Sequence, residues 1–128
     1  MDTPTREAVS VGNAFDDGAA NRQWFIGPFL DPSAGPRRTD GVGVKWARHP
    51  RGERRADWAP AGNARTVSVL VRGRFAIEFR EAEGTGVRRV VLEREGDYAI
   101  WTPAVEHTWE AEEESVVVTV RWPDGASP

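Results

Sequence analysis

G-D-Y-A-I-W-T-P-A-V-E-H-T-W-E-A-E-E-E-S-V-V-V-T-V-R-W, residues Gly96 to Trp122, is the stretch that decides the fold. It reads as a turn, a short aromatic strand, a proline-braced loop, a strand carrying His107, an acidic turn and a closing strand. The valine run Val116–Val120 has the β-branched density of a strand packed on at least one face. Gly96-Asp97 permits the tight turn that starts the unit, and Pro103 stiffens the loop ahead of His107. One of only two histidines in the chain stands here, so chemistry is sought here first.

Upstream of this unit the same strand-and-turn pattern repeats. Val87–Leu92 is a strand closed by the Glu81–Gly86 hairpin onto Phe75–Phe79, whose apolar residues alternate. Gly73 is a bulge or turn, and Thr66–Val71 is a strong strand. Glu53–Asn63 is polar, with Trp58 and a Pro60–Gly62 turn inside it. Val42–His49 alternates, which predicts a half-buried strand with Val42, Val44 and Trp46 on one face and Lys45 on the other. Pro32–Gly41 is a loop. Trp24–Leu30 is an edge strand because of Pro28, and it could pair with a second copy to give a homodimer. Residues 1–20 are rich in Gly, Ala, Asp and Asn and are expected to be loose; 124–128 make a short tail. No segment sustains a period near 3.6. Some seven or eight short strands with Gly/Pro turns therefore predict one all-β sandwich or barrel over residues 21–123.

Composition limits the partners. A chain of 128 residues builds one core, not two. Its net charge of −3, with both signs interspersed, gives no basic face for nucleic acid. Arg37-Arg38, Arg54-Arg55 and Arg88-Arg89 each lie near acids and read as solvated surface. The absence of cysteine excludes thiolate chemistry and a disulfide framework. Met1 to Ala20 lacks the apolar core of a secretory signal, and no run approaches a membrane span, so a cytoplasmic location is expected. Six tryptophans against one tyrosine and one methionine leave indoles to fill the interior and line any pocket.

Two spacings carry a resemblance. Gly96 is followed by five residues, then Thr102-Pro103-Ala104, two residues and His107, with Ala111 four places on. Gly52 and Gly73 bracket a second interval that ends in Val69-Leu70-Val71-Arg72-Gly73-Arg74-Phe75. Over Val42–Trp122 the chain resembles the cupin superfamily, which implies a jelly-roll β-barrel. His107 matches the histidine of that family's second motif. Trp58 and Pro60 stand where the two histidines of its first motif would be, and Thr66 where its glutamate would be. Three of the four metal ligands that the resemblance would supply are therefore replaced. The reading is a cupin without a cofactor. A site rebuilt from His107, His49 and Glu53, with Asp57 nearby, is the divalent-metal alternative.

The chemistry then rests on a metal-free pocket. If His107 points into the barrel so does Trp109, and if Thr66 faces in so does Ser68. For Tyr98–Trp101 either Tyr98 and Ile100 or Ala99 and Trp101 face in. His107, His49 and Tyr98 are the candidate catalytic groups. Trp58, Trp46, Thr66, Ser68 and Trp109 are the candidate walls of a small-molecule site. An imidazole has the right ordinary pKa for proton transfer near neutrality. The expected activity is that of a lyase, isomerase or cyclase that needs no metal. The alternatives are a cupin that binds or senses a small apolar ligand without turnover, and a metal-dependent oxygenase.

Overall fold

The structure, a computed structural model, describes residues 8–60, 62–81 and 83–125. Residues 1–7 of the segment expected to be loose, Ala61 of the Pro60–Gly62 turn, Ala82 of the Glu81–Gly86 hairpin and 126–128 of the tail lie outside the described residues.

Short, β-branched segments punctuated by Gly and Pro fold here as eight strands: β1 (Trp24–Ile26), β2 (Gly43–His49), β3 (Ala64–Arg72), β4 (Phe75–Glu81), β5 (Val87–Leu92), β6 (Tyr98–Trp101), β7 (Val105–Ala111) and β8 (Ser115–Pro123). They form two antiparallel sheets, in the orders β1-β2-β8-β3-β6 and β5-β4-β7. The valine run lies in β8, bonded on both sides: Val118 stands opposite Trp46 of β2 and Val69 of β3. Segment 54–59 runs beside β7 through backbone bridges Arg54–Glu110 and Ala59–His107. The chain is an all-β, jelly-roll type sandwich.

The core sits at one end, between the sheets, where Leu70, Phe75, Ile77, Leu92, Ala111 and Val117 pack together. Each such buried Leu, Ile or Phe contributes roughly 1.5–3 kcal/mol by leaving water. The β3–β4 turn closes this end. Gly73 adopts φ +105°, and a Cβ there would lie 2.3 Å from the Glu114 carbonyl oxygen. Only glycine allows so close an approach between the two turns.

Alternation fails in one informative place. In β2 the buried residues are Gly43, Ala47 and His49, so Lys45 shares their inward face, while Val44 and Trp46 lie on the outer one. The sequence reading had these faces exchanged. The reason is that the interior beyond the core is polar, so the usual apolar-in rule does not apply along the upper half of β2.

The described part of the segment read as loose contains a helical turn, α1 (Ala14–Gly18), against β1 and β2. Asn13 caps it by accepting from the Asp16 N–H at 3.0 Å, and the Arg48 guanidinium lies 3.7 Å from the Phe15 ring. The 32–39 loop returns to the outer edge of β1, where Arg37 Nη1 donates to the Phe25 carbonyl at 3.2 Å. That edge, expected to pair with a second copy, is in part occupied by the chain itself. No helix among the described residues is long and apolar enough to cross a membrane.

The outer face of β5-β4-β7 carries a ladder of ions. Arg89 lies 3.6 Å from Glu78, 3.3 Å from Glu110 and 3.6 Å from Glu112, and Arg80 lies 3.0 Å from Glu106. Such solvated pairs contribute little each, about 0–1 kcal/mol. Their relevance is comparative: the guanidinium groups of this ladder have acids to meet.

Candidate functional site

Above the core the two inner faces differ in kind. Because β2, β8 and β3 run in register, with Lys45 opposite Thr119, Thr119 opposite Ser68, and Arg121 opposite Thr66, their inward residues form one polar wall. Across from it, β4 and β7 supply Ile77 opposite Trp109 and Phe79 opposite His107. Between them is a hollow of about 50 Å³, bordered also by Trp24 from β1 and Trp101 from β6. That is room for a few waters or one small head group. Ser68 and Thr119 satisfy one another at 2.8 Å.

The two histidines both line this hollow but are differently engaged. His49 is buried, its Nδ1 bonded to Glu53 Oε1 at 2.5 Å and its ring 5.1 Å from Phe75 and 4.4 Å from Trp109. Burial pushes its pKa down, with Glu53 opposing. His107 has no side-chain hydrogen bond among the described residues; its ring rests 4.9 Å from Trp101. Burial, then the charges of Arg55, Arg121 and Lys45, push its pKa down to about 4. At neutral pH it is an uncharged imidazole.

Three cations surround that imidazole. Lys45 is half-buried, and burial followed by Arg121 and Arg55 lowers its pKa to about 8. Arg121 stands at the exposed mouth. Trp24 is shared between them, its ring 5.2 Å from Lys45 Nζ and 5.0 Å from Arg121 Cζ. Gly43 makes this possible, since a Cβ at that position would lie 3.2 Å from the indole. Among the described residues neither Lys45 nor Arg121 has an acidic partner, whereas Arg55 meets Asp57 at 3.4 Å.

On the far side of Trp101 lies a larger cleft, about 910 Å³, between the unpaired edges of β5 and β6. Phe79, Val90, Ala99, Trp101 and Val105 line its inner part, with Arg80 and Arg88 also on its wall. Phe79 and Trp101 touch at 5.1 Å, so the indole of Trp101 is the partition between cleft and hollow.

No family model and no curated protein matches this sequence. Solved structures do. The cupin domain of Drosophila melanogaster CENP-C superposes with a TM-score of 0.52 at 17% identity, over 63% of this chain and 56% of that one. KdgF from Halomonas sp. gives 0.55 at 21% identity over 66% and 72%, and a cupin protein from Bacteroides fragilis 0.58 at 14% over 70% and 72%. The fold is that of a cupin. At these identities the likeness is one of fold alone, and the chain spans little more than half of the CENP-C domain's length.

Several residues proposed from sequence lie elsewhere in this fold. Tyr98 is 64% exposed, because Ala99 and Trp101 take the inward positions of β6. Trp46 faces outward with Val44, as described for β2. Trp58 is not in the hollow; its ring packs under the Arg80 guanidinium at 4.3 Å, on the outer side of β4. His107, His49, Thr66, Ser68 and Trp109 do border the hollow. Sequence reading missed Lys45, Arg121 and Trp24, and left Trp101 as one of two alternatives for β6. Parity held the signal, since Lys45 is in phase with His49, and Arg121 with Thr119.

The metal that the cupin resemblance would supply does not fit this donor set. Among the described residues no three His, Asp or Glu side chains gather as ligands, so His107, His49 and Glu53 are not one site. Glu53 is committed to His49, and the cations that depress the His107 pKa would equally repel a divalent ion.

The position of Trp58 carries a prediction. Trp58→Ala is expected to lose about 1 kcal/mol or less, the worth of a solvated cation–π contact. Urea denaturation measures that loss. Ligand binding at the hollow is expected to stay unchanged, and a tenfold loss of affinity would show that Trp58 belongs to the site after all.

Proposed function

We propose that this cupin is a metal-independent enzyme, a lyase, isomerase or cyclase, that moves a proton at a carbon beside a carbonyl. The observation that supports it is an unengaged, neutral imidazole facing a hollow that also holds an ammonium group of unusually low pKa. A ring nitrogen of His107 takes the proton, and the electron pair of the broken C–H bond passes into an enolate. Lys45, protonated at neutral pH, stabilises or protonates the enolate oxygen. Return of the proton to the opposite face of the same carbon gives an epimer, and departure of a β-hydroxyl as water, protonated by the His107 imidazolium, gives an elimination product. A pKa of about 4 makes His107 a weak base in the empty site. A bound negative charge would offset the three cations and bring its basicity back toward the ordinary range.

The second reading is a cupin that binds a ligand without turnover. The small volume beside His107 favours it, since a head group fits there but a sugar does not. Incubating the protein with carbonyl-bearing organic acids in deuterated water, followed by mass analysis, tests the first against the second. Deuterium incorporation or a new product, both lost in His107→Gln, is the expected result. Binding without exchange or product overturns the catalytic reading.

A further inference from the structure

We infer that the ligand of the hollow is an organic carboxylate, its head group held between Lys45 and Arg121 and its apolar or aromatic body lying against Trp101 in the adjoining cleft. The inference rests on the proposed reading of the hollow as the ligand site. Its own support is charge and shape. Half of the described arginines outside the hollow are matched to carboxylates, as Arg89 is to Glu78, Glu110 and Glu112. In the hollow, Lys45 and Arg121 converge on one indole, and among the described residues no acid is paired with either.

Two converging cations without a counter-charge make a seat for an anion. A guanidinium fork opposite an ammonium suits a planar carboxylate, bidentate on one side and point-charged on the other. The hollow, at about 50 Å³, admits a group of that size. Thr66 is the hydroxyl opposite Arg121 in register and supplies a further donor to a head group. The body of such an acid must then leave the hollow, and the neighbouring space is the cleft lined by Phe79, Val90, Ala99 and Trp101. Polar head and apolar body thus have separate, adjoining places.

The groups facing Lys45 set how binding depends on pH. They are Arg121 from β8, Arg55 from the 54–59 segment, His107 from β7 and His49 on β2 itself. None is an acid, so loss of the Lys45 proton removes attraction without releasing a competing carboxylate.

Calorimetric titration with benzoate, phenylacetate and 3-phenylpropionate, with their amides and with phenylphosphonate, tests the inference. At pH 7 at least one acid is expected to bind roughly tenfold or more tighter than its amide. Lys45→Met and Arg121→Met should each erase most of that preference by weakening the acid far more than the amide. The acid's affinity should fall as pH rises through about 8, where Lys45 loses its proton. Equal binding of acid and amide, indifference to both substitutions, or no saturable binding of any acid up to about 10 mM overturns the inference. Much tighter binding of the phosphonate overturns the choice of carboxylate. Thermal melts of the two variants establish that they are folded before titration. The two proposals fail separately. Acids that bind through Lys45 and Arg121 but never exchange a proton remove the enzyme and leave the anion seat. Turnover confined to neutral compounds does the reverse.

Discussion

Lys45→Met is expected to make the protein more stable, raising its thermal midpoint by roughly 5 °C and its unfolding free energy at pH 7 by about 1–3 kcal/mol. In the unfolded chain the ammonium is hydrated and has its ordinary pKa; in the fold, burial and two arginines depress it to about 8. A charge kept at pH 7 against that displacement costs about 3 kcal/mol, and partial contact with water at the mouth reduces the figure. Methionine keeps the packing of the stem on Trp24 and removes the charge. The sign follows from proton counts. Between pH 8 and 10.5 the unfolded chain holds more protons on Lys45 than the fold, so wild-type stability rises through that window. The advantage of Lys45→Met should therefore be complete below pH 8 and gone near 10.5. Urea denaturation at pH 7 and pH 10.5 measures both ends, and a variant less stable than wild type at pH 7 would contradict the account.

The second large effect is on the acid side. His107 has a folded pKa of about 4 against 6.5 for an unperturbed imidazole. The unfolded chain binds a proton there first as pH falls, so stability is complete above 6.5, declines through the interval and is fully lost below 4. The decline from this residue amounts to about 2–3 kcal/mol. His49, also depressed by burial, titrates in the same direction. Asp31 and Asp97, whose carboxylates accept backbone N–H bonds and lie below their usual 3.8, contribute only at lower pH. His107→Gln is therefore expected to flatten most of the slope between pH 6.5 and 4 while leaving the steeper loss below it. Denaturation midpoints taken across that range read the difference. An unchanged slope would mean that His107 is hydrated in the fold.

The architecture was legible because each strand announces itself locally. Val116–Val120, the alternation of Phe75–Phe79 and the Gly/Pro turns are signals that survive without knowing what packs on them. The cupin spacing of Gly96 and His107 was legible for the same reason. The site was legible only in part, because it depends on which face of each strand turns inward, and that was judged from polarity. Thr66 and Ser68 came out on the hollow because they were placed by motif position, and Trp109 because it is in phase with His107. Lys45 and Trp46 were assigned to the wrong faces because an ammonium was assumed to seek water, and here it finds a polar interior. Tyr98 and Trp101 could not be separated from sequence, since both are aromatic and lie one parity apart. Trp58 was misplaced because its segment is held by backbone bridges to β7, which no composition signal reports.

The way residues 54–59 are tied to β7 has a bearing on redesign. Those bridges turn Trp58 outward, where it is half-buried under Arg80, and Pro60, two residues on, is exposed. Histidines written into positions 58 and 60 would decorate the exterior and add no ligand beside His107. Anyone wishing to graft such an ion would have to sacrifice Lys45, Arg121 or Thr66, whose side chains share the hollow with His107. The proposed electropositive seat and a metallic one would compete for the same few places.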